Sequence, residues 1–362
     1  MNASQEDNYS WVLKSINNFQ LEKRPRPHPK PNEVVIAIKA TGICGSDVHY
    51  WVDGRIGDFV VEKELVLGHE SAGIIDEIGE NVKNLKVGDA VVIEPGAPCY
   101  VCSYCRKGNY NLCPDMKFPA TPPIDGTLCK YYCCSEDLCI KLPENFPPGI
   151  EGGALIEPLS VGIHACNQAG LRAGQSVIIF GAGPVGLLTA AVAKASGAIK
   201  VTVVDINQSR LDFAKGYAAT DVILAEKVTA GDNVIDHCKR FAKSLLEAGK
   251  ERSDVVLECS GAESSIITGI YMTRPGGTYV QVGMGSDVVA LPITHIGIQE
   301  ITIRGCFRYS NAHRQAVQMV AAGLIDLKPL VTHKYEFQEA IQAFQTVRDQ
   351  KDGVIKALIL GD

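Results

Sequence analysis

The chain has 362 residues, 46% hydrophobic and 21% charged, a globular composition that leaves no place for disorder or a fibrous repeat. Single cores stop growing at roughly 250–300 residues, so two domains are expected. A net charge of −6 gives no basic field for phosphate backbones, and no apolar run reaches the roughly 18–20 residues that span a bilayer, which excludes nucleic-acid and membrane partners in favour of small molecules.

The start, Met1 to Asp7, is polar and acidic, unlike a signal peptide, and the end, Leu360-Gly361-Asp362, matches no common address signal, so a cytoplasmic protein is expected. In a reducing cytosol its 13 cysteines are metal ligands or core residues rather than disulfides. Strand-like runs at Glu33 to Ala40, Ser71 to Ile78 and Asp89 to Ile93, broken by Gly and Pro, give the first 155 or so residues an all-β pattern with little helix. Within it, Arg24 to Pro31 reads as a surface turn. Cys129, Cys133, Cys134 and Cys139 lie in a strand-like stretch, Leu128 to Ile140, as small hydrophobes.

From Ser176 the pattern changes. Strands at Ser176 to Phe180, Val201 to Asp205, Asp221 to Leu224, Asp254 to Glu258, Thr278 to Val282 and Ile301 to Cys306 alternate with helices at Val185 to Ala195, Ser209 to Tyr217, Asp232 to Leu246 and Ser264 to Met272. This is the order of a doubly wound parallel sheet. A helix at Ala312 to Ala322, a strand at Thr332 to Tyr335, a helix at Phe337 to Arg348 and a strand at Ile355 to Leu360 close the chain. The predicted architecture is α/β: one inserted α/β domain between two pieces of a mostly-β domain.

Three groups of residues carry chemistry. Cys99, Cys102, Cys105 and Cys113 form a C-x2-C-x2-C-x7-C run, the spacing of a closed tetrahedral metal site with no open position. Cys44, His69 and Glu70 supply a thiolate, an imidazole and a carboxylate that suit Zn²⁺ and leave room for water or a substrate oxygen, although each residue alone also fits a packed core position. Gly181-Ala182-Gly183-Pro184-Val185-Gly186 lies between a predicted strand and a predicted helix, as a pyrophosphate-binding turn requires. Asp205 ends the next strand, 19 residues after Gly186, where a carboxylate would bind the adenosine hydroxyls of NAD and repel the 2′-phosphate of NADP. Capping of the following helix is the alternative role for Asp205, and Arg210 leaves an opening for a phosphate.

These motifs carry a resemblance. Gly68-His69-Glu70-x-x-Gly73, with Gly79, Val82 and Lys86-Val87-Gly88-Asp89-x-Val91, resembles the zinc signature of the medium-chain alcohol dehydrogenase superfamily, and Gly153-Ala154-Leu155-Ile156-Glu157-Pro158-Leu159-Ser160-Val161 with Phe307-Arg308-Tyr309 resembles its polyol dehydrogenase branch. That branch holds sorbitol, xylitol and L-arabinitol dehydrogenases, and the pattern is most similar to the yeast xylitol enzymes. The resemblance implies a GroES-like catalytic domain over residues 1–159 with a structural-zinc lobe at about 95–115, a Rossmann domain over 160–300, and a C-terminal return over 301–362. It implies two zinc ions per chain, one catalytic on Cys44, His69 and Glu70 with Glu157 nearby, and one structural on the four-cysteine run. Ser46, His49, Glu70 and Glu157 would move the proton; Tyr50, Phe118, Glu157, Arg308 and Tyr309 would bind the polyol. Gly181, Gly183, Pro184, Val185, Gly186, Asp205, Arg210, Val282, Gly283, Phe307 and Arg308 would hold NAD. The implied reaction is oxidation of a polyol secondary alcohol to a ketose, foremost xylitol to D-xylulose, by a homo-oligomer, dimer or tetramer. Sorbitol (L-iditol 2-) and L-arabinitol 4-dehydrogenase are alternatives, threonine and simple alcohol dehydrogenases more distant ones. A non-catalytic NAD-binding or redox-sensing protein is the reading from another class.

Overall fold

A computed structural model describes residues 7–229 and 231–361; the polar segment Met1–Glu6 and the terminal Asp362 lie outside the described residues. The chain forms two compact units, one of residues up to Glu157 together with His313 onward, the other Pro158–Ala312. The sequence placed the second boundary at residue 300. It falls later because Thr302–Gly305 is the sixth strand of the inserted sheet.

That sheet has the order Asp221–Leu224, Lys200–Asp205, Ser176–Phe180, Ser253–Glu258, Thr273–Gln281, Thr302–Gly305, with every neighbouring pair parallel. This is the doubly wound order, in which ligands sit beyond the carboxyl ends of the strands. Ser-Val-Ile-Ile-Phe at Ser176–Phe180 is almost entirely buried, as a central strand covered on both faces demands. Asn207 and Asn233 cap the helices Gln208–Tyr217 and Val234–Glu247 with their side-chain oxygens, so each begins where its first orphan amides find an acceptor.

In the other unit the long strand Glu33–Gly42 is central. It pairs with Glu70–Ile78 and Tyr131–Ser135, and its end pairs with the closing strand Lys356–Leu360, which in turn lies parallel to Val331–Tyr335. Two long strands went unread in the sequence, Asp7–Ser15 and Asn18–Pro25, which pair with each other. Arg24 and Pro25 therefore end a strand rather than belonging to a turn, and Arg26 ion-pairs with Asp76 while its guanidinium covers the Tyr131 ring at 4.3 Å.

The expectation of little helix in the first 155 or so residues needs correction at Gly45–Asp53, which is helical; a second long helix, Ile156–Ala169, begins just beyond that stretch. Pro158 falls in the first turn of the second, directly after the 3₁₀ turn Gly153–Leu155, where a helix tolerates proline best. Gly162 lets that helix approach closely, since a Cβ there would lie 3.1 Å from the Thr189 nitrogen. Among the described residues no helix is long and apolar enough to cross a membrane.

Candidate metal centres and dinucleotide turn

Cys44 is the N-cap of the Gly45–Asp53 helix, with its sulfur at the positive end of the helix dipole. His69 and Glu70 follow Gly68, whose φ of +86° favours glycine and whose added Cβ would lie 2.9 Å from Thr41 Cγ2. Strand pairing then sets Glu70 opposite Gly42, where a Cβ would collide with Glu70 Oε2. The missing side chain is what gives the carboxylate its place. As a result one ligand atom from each of Cys44, His69 and Glu70 lies within 4.8 Å of the others. The donors fit zinc: thiolate, imidazole and carboxylate in a pocket where His69 and Glu70 are buried.

Asp47 belongs to this centre and was not singled out in the sequence. Its carboxylate is 1% exposed, accepts the backbone N–H groups of Gly68 at 2.9 Å and Cys44 at 3.1 Å, and lies 3.5 Å from His69 Nδ1. One acid thus fixes the two ligand-bearing segments and makes the further nitrogen contact that metal-bound imidazoles make. Burial opposes charge on Asp47, but the His69 ring and the two amides outweigh it and hold its pKa below the usual value. Burial likewise works against a charged His69, and the negative charges of Asp47 and Cys44 overcome it and raise the ring well above its ordinary pKa. The field in this pocket favours a cation. Asp47→Asn should lower the affinity of the centre for zinc about 10- to 100-fold, the range for losing an outer partner of a metal ligand, measured by competition with a chromophoric chelator.

A second partner of the ligand residues was unread as well. Lys356, 3% exposed, donates from Nζ to both oxygens of Glu70, at 2.9 and 2.7 Å, and to the Ile43 carbonyl at 3.0 Å. Glu157 is buried at the start of the Ile156–Ala169 helix and its charge acts on Lys356, yet it is not among the clustered ligand atoms. Phe118 is buried with its ring 5.7 Å from that of His69. Ser46 is half-buried in the first turn of the Gly45–Asp53 helix, Tyr50 is buried in the apolar core, and His49 is exposed, its Nδ1 2.9 Å from Asp53 Oδ2.

The run Cys99, Cys102, Cys105 and Cys113 forms the other group of clustered ligands among the described residues. Its sulfurs stand 3.4 Å apart for Cys102 and Cys105 and 4.0 Å for Cys99 and Cys105, close to the edge of about 3.8 Å that a tetrahedron of roughly 2.3 Å Zn–S bonds requires. Cys129, Cys134 and Cys139 are buried, as small hydrophobes would be, and burial pushes the Cys129 thiol up to about 12; Cys133 is instead only half-buried, with its sulfur 3.5 Å from Glu33 Oε2.

In the inserted unit, Gly181 has a φ of +96°, a Cβ on Gly186 would overlap the Gly181 carbonyl, and a Cβ on Gly183 would meet nothing within 4 Å. The first glycine turns the chain, the last lets the helix Pro184–Ala195 pack against the turn, and the middle one leaves open space above the helix amides, a cradle that fits a pyrophosphate. Asp205 does not cap the next helix, because Asn207 does. Instead its carboxylate accepts the N–H groups of Ala182 at 2.6 Å and Asn207 at 2.9 Å, which ties the glycine turn to the end of the neighbouring strand. Val282 and Gly283 follow the strand Thr273–Gln281, and Phe307 and Arg308 follow Thr302–Gly305, so all stand beyond carboxyl ends of the sheet. Arg308 adopts a φ of +53° and stacks its guanidinium 4.7 Å over the Phe307 ring, and Tyr309 is buried. A non-glycine residue held there costs on the order of 1–3 kcal/mol, a strain that clusters at functional positions.

A doubly wound sheet with a dinucleotide turn, joined in one chain to an open Cys/His/Glu centre and a closed four-cysteine centre, defines a metal-dependent dehydrogenase. Residues 30–144 match the family model of the alcohol dehydrogenase GroES-like domain and residues 184–322 that of the zinc-binding dehydrogenases. The chain belongs to the zinc-dependent medium-chain dehydrogenase family. It is 51% identical to probable D-xylulose reductase A of Aspergillus clavatus and 49% identical to D-xylulose reductase A of Aspergillus niger, each over 98% of this chain and 97% of the relative. The crystal structure of L-idonate 5-dehydrogenase from Escherichia coli superposes with a TM-score of 0.87 at 31% identity, covering 99% of this chain and all of that one.

Proposed function

We propose that this enzyme oxidises a secondary alcohol of a polyol to the ketose with NAD, the foremost pair being xylitol and D-xylulose. The observation that carries the reading is the convergence of Cys44, His69 and Glu70 within 4.8 Å in a chain about half identical to D-xylulose reductases. When bound, zinc on these residues stabilises negative charge on a substrate oxygen, and NAD accepts the hydride. The protein's own part is to position and to move a proton. Ser46 relays the alcohol proton, its hydroxyl passing its own proton on as it accepts the substrate's, and His49, exposed and oriented by Asp53, releases a proton to solvent. Glu157, buried near the Lys356 ammonium, holds the water or hydroxyl that shares this proton. Tyr50, Phe118, Arg308 and Tyr309 recognise the polyol, and a buried polar group left unpaired by a simple alcohol makes that alcohol a poor substrate.

NAD is the proposed cofactor over NADP because Asp205 puts a carboxylate beyond its strand, with Arg210 as its neighbour in the next helix. Asp205→Ala should cut the preference for NAD about 10- to 100-fold, matching the roughly 1.5–3 kcal/mol of a charge-assisted hydrogen bond, in parallel assays with NAD and NADP. The proposed compartment is the cytoplasm. A homo-oligomer, dimer or tetramer, is supported by the exposed apolar side chains of Tyr100, Val101, Tyr104 and Leu112 on the four-cysteine lobe. Zinc content and NAD reduction with xylitol, sorbitol and L-arabinitol test the whole reading. About two zinc ions per chain and fastest turnover of xylitol are expected from the two donor clusters; absence of NAD reduction with all three polyols would refute an enzyme of this class.

A further inference from the structure

A fully enclosed lysine needs an account, because moving an ammonium out of water is costly unless it is paired. Lys356 opens the closing strand Lys356–Leu360, whose Ala357, Leu358 and Ile359 are all buried. Leu358 pairs with Gly42, and the Ile43 N–H donates to the Ala357 carbonyl at 3.1 Å, so the register carries Lys356 to the segment that ends in Cys44. Its three contacts, both Glu70 oxygens and the Ile43 carbonyl, match the three protons of an ammonium. The partner it takes is a metal ligand, engaged at both oxygens.

We propose that Lys356 is a positioning residue that shares the Glu70 carboxylate with the metal and so keeps Glu70 a displaceable ligand. The inference rests on the reading of Cys44, His69 and Glu70 as the catalytic centre. A carboxylate whose two oxygens already accept from an ammonium gives less of its charge to a metal, and the ammonium itself repels a dication at such range. Glu70 thus binds strongly enough to complete the centre and weakly enough to yield a position to a substrate oxygen. Gly42 serves the same end from the opposite strand, since its missing side chain is what lets the carboxylate sit where Lys356 reaches both oxygens.

The test is zinc affinity of the catalytic centre, with the four-cysteine lobe kept loaded, in the full chain carrying Lys356→Met. Competition with a chromophoric chelator should show zinc held at least about tenfold tighter than in the native chain, equivalent to about 1.4 kcal/mol. The visible spectrum of the cobalt-substituted variant should no longer change on adding xylitol, whereas that of the native chain does. Lys356→Arg, which keeps the charge and the donors, should stay within about threefold of native affinity. In a Glu70→Gln background the gain from Lys356→Met should shrink, because its main route has been removed. Unchanged or weaker zinc binding in Lys356→Met, or an equal gain with Glu70→Gln, would overturn the proposal. If the methionine variant does not fold, Lys356→Gln, which retains one donor toward Glu70, carries the same two readings. Failure of the underlying assignment is separable: a Cys44→Ser chain that keeps all its zinc refutes the centre itself, while a native centre indifferent to Lys356 refutes the sharing alone.

Discussion

Cys44→Ser is expected to lose polyol oxidation by at least about 10³-fold, because the several kcal/mol of charge stabilisation that a metal supplies depends on its thiolate ligand. A serine hydroxyl is neutral at ordinary pH and is a hard, weak donor for zinc, so the remaining His69 and Glu70 do not hold the ion. Zinc content should fall by one per chain and the fold should persist, since Cys44 is half-buried at a helix cap and serine is itself a good cap. NAD binding should be unchanged. The glycine turn and Asp205 are built within the Pro158–Ala312 unit, whereas Cys44, His69 and Glu70 are built within the other. Activity within about tenfold of native, with zinc at its native content, would refute the metal assignment.

Which features were legible in the sequence follows from how local their causes are. The inserted sheet was readable because strands such as Ser176–Phe180 are buried on both faces and therefore uniformly apolar, and because Gly181, Gly183 and Gly186 each answer a local demand of the turn. The Gly45–Asp53 helix was not, since Gly-Ser-Asp-Val-His-Tyr-Trp-Val-Asp is short and its amphipathic pattern is interrupted by Asp47, a buried acid whose partners are backbone amides. A signal existed: an acid three residues after Cys44 stands where a carboxylate bonds back to the cap nitrogen. Lys356 was hidden more deeply. A lone lysine in Val-Ile-Lys-Ala-Leu-Ile-Leu announces that a buried charge needs a partner, but the partner, Glu70, is 286 residues away. Only the pairing of Lys356–Leu360 with Glu33–Gly42, itself paired with Glu70–Ile78, makes that contact, and pairing over such a distance has no local signature.

The four-cysteine lobe should behave in the opposite way to Cys44. Its regular structure is confined to the short helix Ser103–Arg106 and the turn of 3₁₀ helix Tyr110–Leu112, and Tyr100, Val101, Tyr104 and Leu112 are exposed, so apolar packing does not account for its shape. The sulfurs are gathered instead by backbone amides: Cys99 N–H donates to Cys113 Sγ at 3.3 Å, Cys102 N–H to Cys99 Sγ at 3.3 Å and Cys105 N–H to Cys102 Sγ at 3.5 Å. The Val101 and Cys102 amides bring the Cys99 thiol down to about 7, while burial and the neighbouring sulfurs push Cys105 up to about 12. Four thiolates packed this closely repel one another unless a cation stands among them, and zinc is the cation their spacing fits. Cys105→Ser is therefore expected to release one zinc, lower the melting temperature by at least about 5 °C and weaken the proposed homo-oligomer, with kcat/KM of the folded fraction within about threefold of native. Calorimetry, light scattering and zinc analysis on the same sample separate these effects. Loss of catalysis with melting temperature and oligomer intact would show that the lobe takes part in the reaction, and the division between a closed structural centre and an open catalytic one would be wrong.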